Sequence, residues 1–316
     1  MATNSANRVS GLRLRTAVAS ALAACYLFSN APAFAGRVSL KKAWVEKYKD
    51  RATIEATFHI DDAHDAPNPA SKDADLHIAG RSLQVGIPTV AEIMNARTKP
   101  AALQEVRNKK GSSVKVVGAW RLWFEHPPKA GKLQAQNLNQ LPQPLKGTNP
   151  DHIFEIHPLS EISAIALGDT FTKIENFKTK EATEAFGRYK KLKAAVRADG
   201  SGMTIDSPQV GFNYAEFWMV AKGKPKALKD GGRVVLADVF ARDGEGPVAT
   251  DIRMIFVPDS APFAKVASIK SGSELHVLGI PRVSLNELYS FAYSPANTGE
   301  RRALPYEMII VGVYPN

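Results

Sequence analysis

Six of the seven histidines, all but His276, fall between residues 59 and 157, and the carboxylates Asp73, Asp75, Glu92 and Glu155 lie among them. Imidazoles with carboxylates can hold a divalent metal or move protons in a hydrolysis. The spacing Asp73-x-Asp75-x-His77 places three such groups on one side of an extended strand, because side chains alternate between its faces. Asp73, Asp75 and His77, joined by His157, are therefore the candidate metal ligands, with Glu92 or Glu155 as the base. A second set suits binding. Trp123, Arg121, His126 and His152 flank two segments that end in His-Pro, at Pro127 and Pro158. A tryptophan beside an arginine can stack on a base or sugar ring and meet its charge. Because Trp120, Arg121, Trp123 and Phe124 occupy both faces of one strand, at least one tryptophan is expected near the surface. A purely structural reading competes with both: a solvated face at 73–77, a Glu92 to Arg81 pair, and histidines capping strand ends.

These groups need strands to position them. Alternation of apolar and polar residues marks strands at 51–60, 74–80, 88–95, 114–125 and 152–162, with a short helix at 101–107 after Pro100. The order, three strands, a helix and two strands, is that of an OB-type Greek-key barrel. In such a barrel the ligand face lies on the second and third strands, here with Asp73, Asp75, His77 and Glu92, beneath loops that contain His64 and residues 128–150. The same order recurs after a basic helix at 180–196, with strands at 211–221, 233–241 and 251–257, a helical piece at 262–269, and strands at 274–280 and 306–314. The fold class expected is mostly β with short helices, two tandem OB-like five-stranded barrels. The first spans residues 36–170 and the second, preceded by the basic helix, residues 171–316. A single β-sandwich is the alternative. The last strand reads as buried and carries no expected function.

The chain of 316 residues is 44% hydrophobic and 23% charged, a globular composition. Residues 1–35 carry Arg8, Arg13 and Arg15, an apolar run from Ala17 to Phe28, and Ala33-Phe34-Ala35. This is the pattern of a secretory signal peptide cut after Ala35, so the protein is expected to be exported, periplasmic or secreted. Leu22-Ala23-Ala24-Cys25 also fits a lipobox, which makes a lipid anchor on Cys25 the minority expectation. Ordinary cleavage removes Cys25, the sole cysteine, so thiolate ligands and disulfides drop out. Cleavage also takes the net charge from +10 to +7, since the leader holds three arginines and no acid. That balance favours an anionic partner such as nucleic acid or an acidic glycan. No run is long enough to span a bilayer as a helix. HExxH, CxxC, G-x-S-x-G and P-loop motifs are all absent.

Over residues 72–162 the chain resembles a group of bacterial exported proteins with an OB-like domain. The likeness is carried by Asp73-x-Asp75-Leu76-His77, Ala91-Glu92-Ile93, Gly118-x-Trp120 and Phe154-Glu155-Ile156-His157-Pro158. It implies a small β-barrel domain and no activity. A more distant likeness, in element order and a barrel-face acid, is to thermonuclease-type OB barrels, whose arginine-rich catalytic signature this chain lacks. Two functions are therefore expected. The first is an exported binding protein whose first barrel presents a polar face to an anionic or sugar-containing ligand. The second is a metal-dependent, phosphodiesterase-like hydrolase. The two differ over convergence: a hydrolase needs these side chains gathered around one cavity.

Overall fold

The computed structural model describes residue 1 and residues 36–242, 244, 246–299 and 301–315. The expected leader, residues 2–35 with Cys25, lies outside the described residues. In chain order the strands are β1 (Gly36–Lys41), β2 (Thr53–Ala63), β3 (Leu76–Arg81), β4 (Thr89–Ile93), β5 (Ser113–His126), β6 (Leu133–Ala135), β7 (His152–Ile162), β8 (Ile165–Ala166), β9 (Lys180–Glu181), β10 (Lys193–Ala198), β11 (Gly202–Ser207), β12 (Ala215–Ala221), β13 (Lys226–Ala227), β14 (Arg233–Phe240), β15 (Pro247–Phe256), β16 (Glu274–Val283), β17 (Arg301–Ala303) and β18 (Tyr306–Val313). The α-helices are α1 (Lys42–Tyr48), α2 (Pro100–Lys109), α3 (Ala182–Lys190) and α4 (Leu285–Ala292).

Hydrogen bonding closes two five-stranded rings. The first runs β2-β3-β4-β7-β5 and back to β2, with β4 and β7 parallel and the other pairs antiparallel. The second runs β12-β14-β15-β18-β16 and back to β12, with β15 and β18 parallel. In each ring a helical piece, α2 or the 3-10 turn Pro262–Ser268, connects the third strand to the fourth. Both are OB-type barrels, so the tandem architecture stands and the single sandwich does not. Ile54, Ala56 and Phe58 of β2 belong to the same buried cluster as Leu76 and Ile78 of β3 and Ala91 and Ile93 of β4, as their alternation requires. Where β5 crosses β7, Gly118 is obligatory for space: a Cβ there would stand 2.7 Å from both the Ile156 side chain and the Pro158 carbonyl oxygen.

A third sheet, β17-β10-β11-β1-β6, joins the start of the described chain to the second half and has no counterpart in the sequence-based expectation. The basic helix is also shorter than expected. It ends at Lys190, and Lys193 to Ala198 form β10, which pairs with β11 and β17. The barrels are locked together by two adjacent pairs of residues. Arg282 of β16 lies 3.5 Å from the Trp120 ring centroid and donates to the carbonyls of Trp120, Ala52 and Arg51, while Glu307 holds its other side. The next residue on β5, Arg121, donates its Nε to the carbonyl of Pro281 at 2.9 Å.

Candidate functional site

Strand register gathers the ionisable groups on one wall of the first barrel. His77 of β3 pairs with Glu92 of β4, and Glu155 of β7 pairs with Arg121 of β5, on the face opposite the apolar residues Leu76, Ile78, Ala91 and Ile156. His157 follows two residues after Glu155, and Asp75 immediately precedes β3. Seven expected site residues, Asp75, His77, Glu92, Arg121, His152, Glu155 and His157, thus converge. Their exposure is a correction. This wall was expected to be open, but Asp75 and His157 are 0% exposed, Glu155 2%, Glu92 4% and His77 8%. The second half of the chain covers it, through Pro281 on Arg121 and through Tyr214, whose ring packs edge-on against His157.

Inside the wall, the Tyr214 hydroxyl donates to Asp75 Oδ2 at 2.6 Å and lies 2.9 Å from His157 Nε2. His157 Nδ1 stands 3.4 Å from Glu92 Oε2 and 3.4 Å from Glu155 Oε2. Glu155 is bound by Arg121 and, at 3.1 Å, by His152 Nε2; Arg121 also reaches Glu125 at 3.0 Å. Burial pushes the Glu155 carboxyl up, but the Arg121 guanidinium and the two histidines outweigh it and hold the group well below the usual carboxylate range. Glu92 has no guanidinium: burial raises it well above that range, opposed by His157 and reinforced by Glu155 and Asp75. Burial opposes the charged form of His157, yet Glu92, Asp75 and Glu155 together raise it well above an ordinary imidazole. Burial lowers His77. Two polar atoms of the wall, Asp75 Oδ1 and His77 Nδ1, are buried with no hydrogen-bond partner.

Three expected residues lie elsewhere. Asp73 sits in the turn before β3, where its Oδ1 accepts from Asn68 Nδ2 at 2.8 Å and from the backbone of Asp75 at 3.2 Å. Ala74 is left-handed at φ 60°, which breaks the alternation, so Asp73 does not extend the face that carries Asp75 and His77. Trp123 is 1% exposed and packs against Tyr189, so it is not the surface ring expected, while Trp120, at 0% exposed, is core. His126 is exposed at the end of β5, its ring 5.2 Å from that of His152.

The second barrel carries an open aromatic feature that sequence reading passed over. Trp218, His276 and Tyr314 stack in a column, with ring centroids 4.7 and 4.2 Å apart and interplanar angles of 9° and 23°. Cross-strand register produces it, since Trp218 on β12 directly faces His276 on β16 and the Tyr314 amide bonds to the His276 carbonyl. Glu216 fixes the column: it binds His276 Nε2 at 2.9 Å and accepts from the Tyr314 hydroxyl at 3.1 Å and from Thr179 at 2.9 Å. Tyr314 forms one wall of an open cleft of 450 Å³ lined also by Lys265, Ser268, Ser273, Glu274 and Leu275. The signal available in the sequence was the aromatic and His-bearing polar register of 216–218, 274–276 and 314. It went unread because His276 is isolated from the other histidines and the closing strand looked wholly apolar.

No family model matches the chain, and no curated protein matches it in sequence. Among solved structures, the single-stranded DNA binding protein from Thermus aquaticus is aligned over 84% of this chain and 91% of its own, at 8% identity and a TM-score of 0.21. A deletion mutant of that protein gives 8% identity, 84% and 92% coverage, and a TM-score of 0.21. Superpositions at this level carry no argument, and the barrels rest on their own strand pairing.

Proposed function

We propose that this chain is an exported binding protein, and that its ligand, a sugar carrying an acidic group, binds in the open cleft of the second barrel. The observation that carries the reading is the fixed Trp218, His276 and Tyr314 column beside that cleft. A ring already held by stacking and by Glu216 loses little freedom when a sugar packs on it. Ser268 and Ser273 offer hydroxyls, Lys265 a cation and Glu274 an acceptor for sugar hydroxyls. The first barrel, whose wall is buried, serves as the support.

The metal-dependent hydrolase with Glu92 or Glu155 as base is the lesser reading. Its substrate has to touch the base, and neither the 450 Å³ cleft nor the 380 Å³ cleft beside Lys47, Arg51 and Asp230 is lined by a residue of the buried wall. Calorimetric titration of the mature protein with an oligogalacturonide, a neutral N-acetylglucosamine oligomer and oligo(dT) tests the binding reading. The acidic sugar is expected to bind, and Tyr314→Ala to weaken it about 5- to 150-fold, the range of a stacking contact worth about 1–3 kcal/mol. Binding of oligo(dT) alone, with a steep salt dependence, contradicts the proposal. Sequencing of the mature N-terminus tests export: a start at Gly36 is expected, and a lipidated Cys25 is the alternative result.

A further inference from the structure

We infer that the buried wall of the first barrel is a divalent-cation site, with Asp75, Glu92 and His157 as ligands, that joins the barrel to the Tyr214 segment. The three residues come from the turn before β3, from β4 and from β7, and each offers one ligand atom within 4.8 Å of the others. A proton count makes the case. The Tyr214 hydrogen is committed to Asp75 Oδ2 at 2.6 Å, so the 2.9 Å contact to His157 has Nε2 donating to the tyrosine oxygen. His157 Nδ1 then faces the Glu92 and Glu155 carboxylate oxygens, both at 3.4 Å. A bare lone pair facing ionised carboxylates is repulsive, so either a proton, carried by His157 or by Glu92, or a metal ion stands there.

The 3.4 Å from Nδ1 to Glu92 Oε2 suits the ion, because bonds of about 2.0–2.1 Å in tetrahedral geometry set neighbouring ligands about 3.3–3.4 Å apart; the equal distance to Glu155 Oε2, outside the ligand set, is a long hydrogen bond. Asp75 Oδ1 is an independent sign: it belongs to a fully buried side chain and has no partner. Two carboxylates and a neutral imidazole balance a doubly charged ion, and the donor set suits zinc or manganese. The hydrogen bond from Nε2 to Tyr214 supplies the outer support that ligating histidines use. A second triad, Glu92, His152 and Glu155, is also close enough, but it needs Glu155 itself as a ligand, and the Arg121 guanidinium already holds that carboxylate.

The test is metal analysis of the purified mature protein, before and after chelation and after dialysis against zinc or manganese. It is paired with the thermal midpoint of each sample and with Glu92→Gln. The amide has the shape of the carboxyl group it replaces, so the packing of the wall is kept. About one ion per chain is expected, with the chelated protein melting several degrees lower and regaining that difference with metal. Glu92→Gln is expected to bind the ion at least about tenfold more weakly at an unchanged metal-free midpoint. Wild-type protein that takes up no metal and shows no shift of midpoint overturns the inference, leaving a proton between His157 and Glu92 instead. Full retention by Glu92→Gln overturns the ligand set.

Discussion

The two barrels have one strand order and opposite surfaces. On the first, Glu92, Glu155 and His157 are enclosed by Tyr214 and Pro281 and are bound to each other. On the second, Trp218, His276 and Tyr314 stand half-buried beside an open cleft. The difference teaches that the fold supplies a wall and the neighbour decides its use. A covered wall can hold charges only if each is paired, because an unpaired buried charge is severely destabilising. An open wall needs no such pairing and can offer rings to a ligand.

The largest effect expected is on the covered wall. Arg121→Ala strands Glu155 without its guanidinium and removes the tie to Pro281, and is expected to cost about 3–5 kcal/mol in urea unfolding. A loss under about 1 kcal/mol places water in the wall and removes the contrast between the barrels. Tyr214→Phe keeps the packing and deletes only the hydroxyl, with an expected cost of about 1–3 kcal/mol. On the second barrel, Lys222 pairs with Asp251 and Asp238 in solvent, and Lys222→Ala is expected to leave the urea midpoint essentially unchanged in the same assay.

The pH dependence sharpens the contrast. In the metal-free protein His157 has a folded value well above its ordinary 6.5, so its contribution is complete below that value and is lost as pH rises through the raised one. Glu92, also raised, acts in the same direction above its ordinary 4.5. Glu155, depressed, contributes above 4.5 and loses that contribution as pH falls through its lowered value. Stability of the chelated protein is therefore expected to fall in alkali, and Glu92→Gln to flatten that fall, when unfolding is followed from about pH 7 to about pH 10. An equal alkaline fall in both proteins assigns it to His157 alone.

The strand order was legible because each barrel strand has an apolar alternate face. Residues 152–162 were read to their exact ends, and both helical connections fell in place. Exposure was not legible. In β7 one face carries Glu155 and His157, so the strand has the alternation of one wetted on one side, while its true cover lies far along the chain at Tyr214 and Pro281. Trp123 was misplaced for the same reason, since its partner Tyr189 is supplied by α3. The third sheet escaped notice because β6 and β17 have three residues each, too few to show a period.

Mapping histidine modification by diethyl pyrocarbonate in the folded protein tests the covered wall most directly. The His126 side chain is 43% exposed, that of His152 1% and that of His157 0%. Modification of His126 with His152 and His157 untouched is the result the account predicts. His157 reacting as fast as His126 contradicts it.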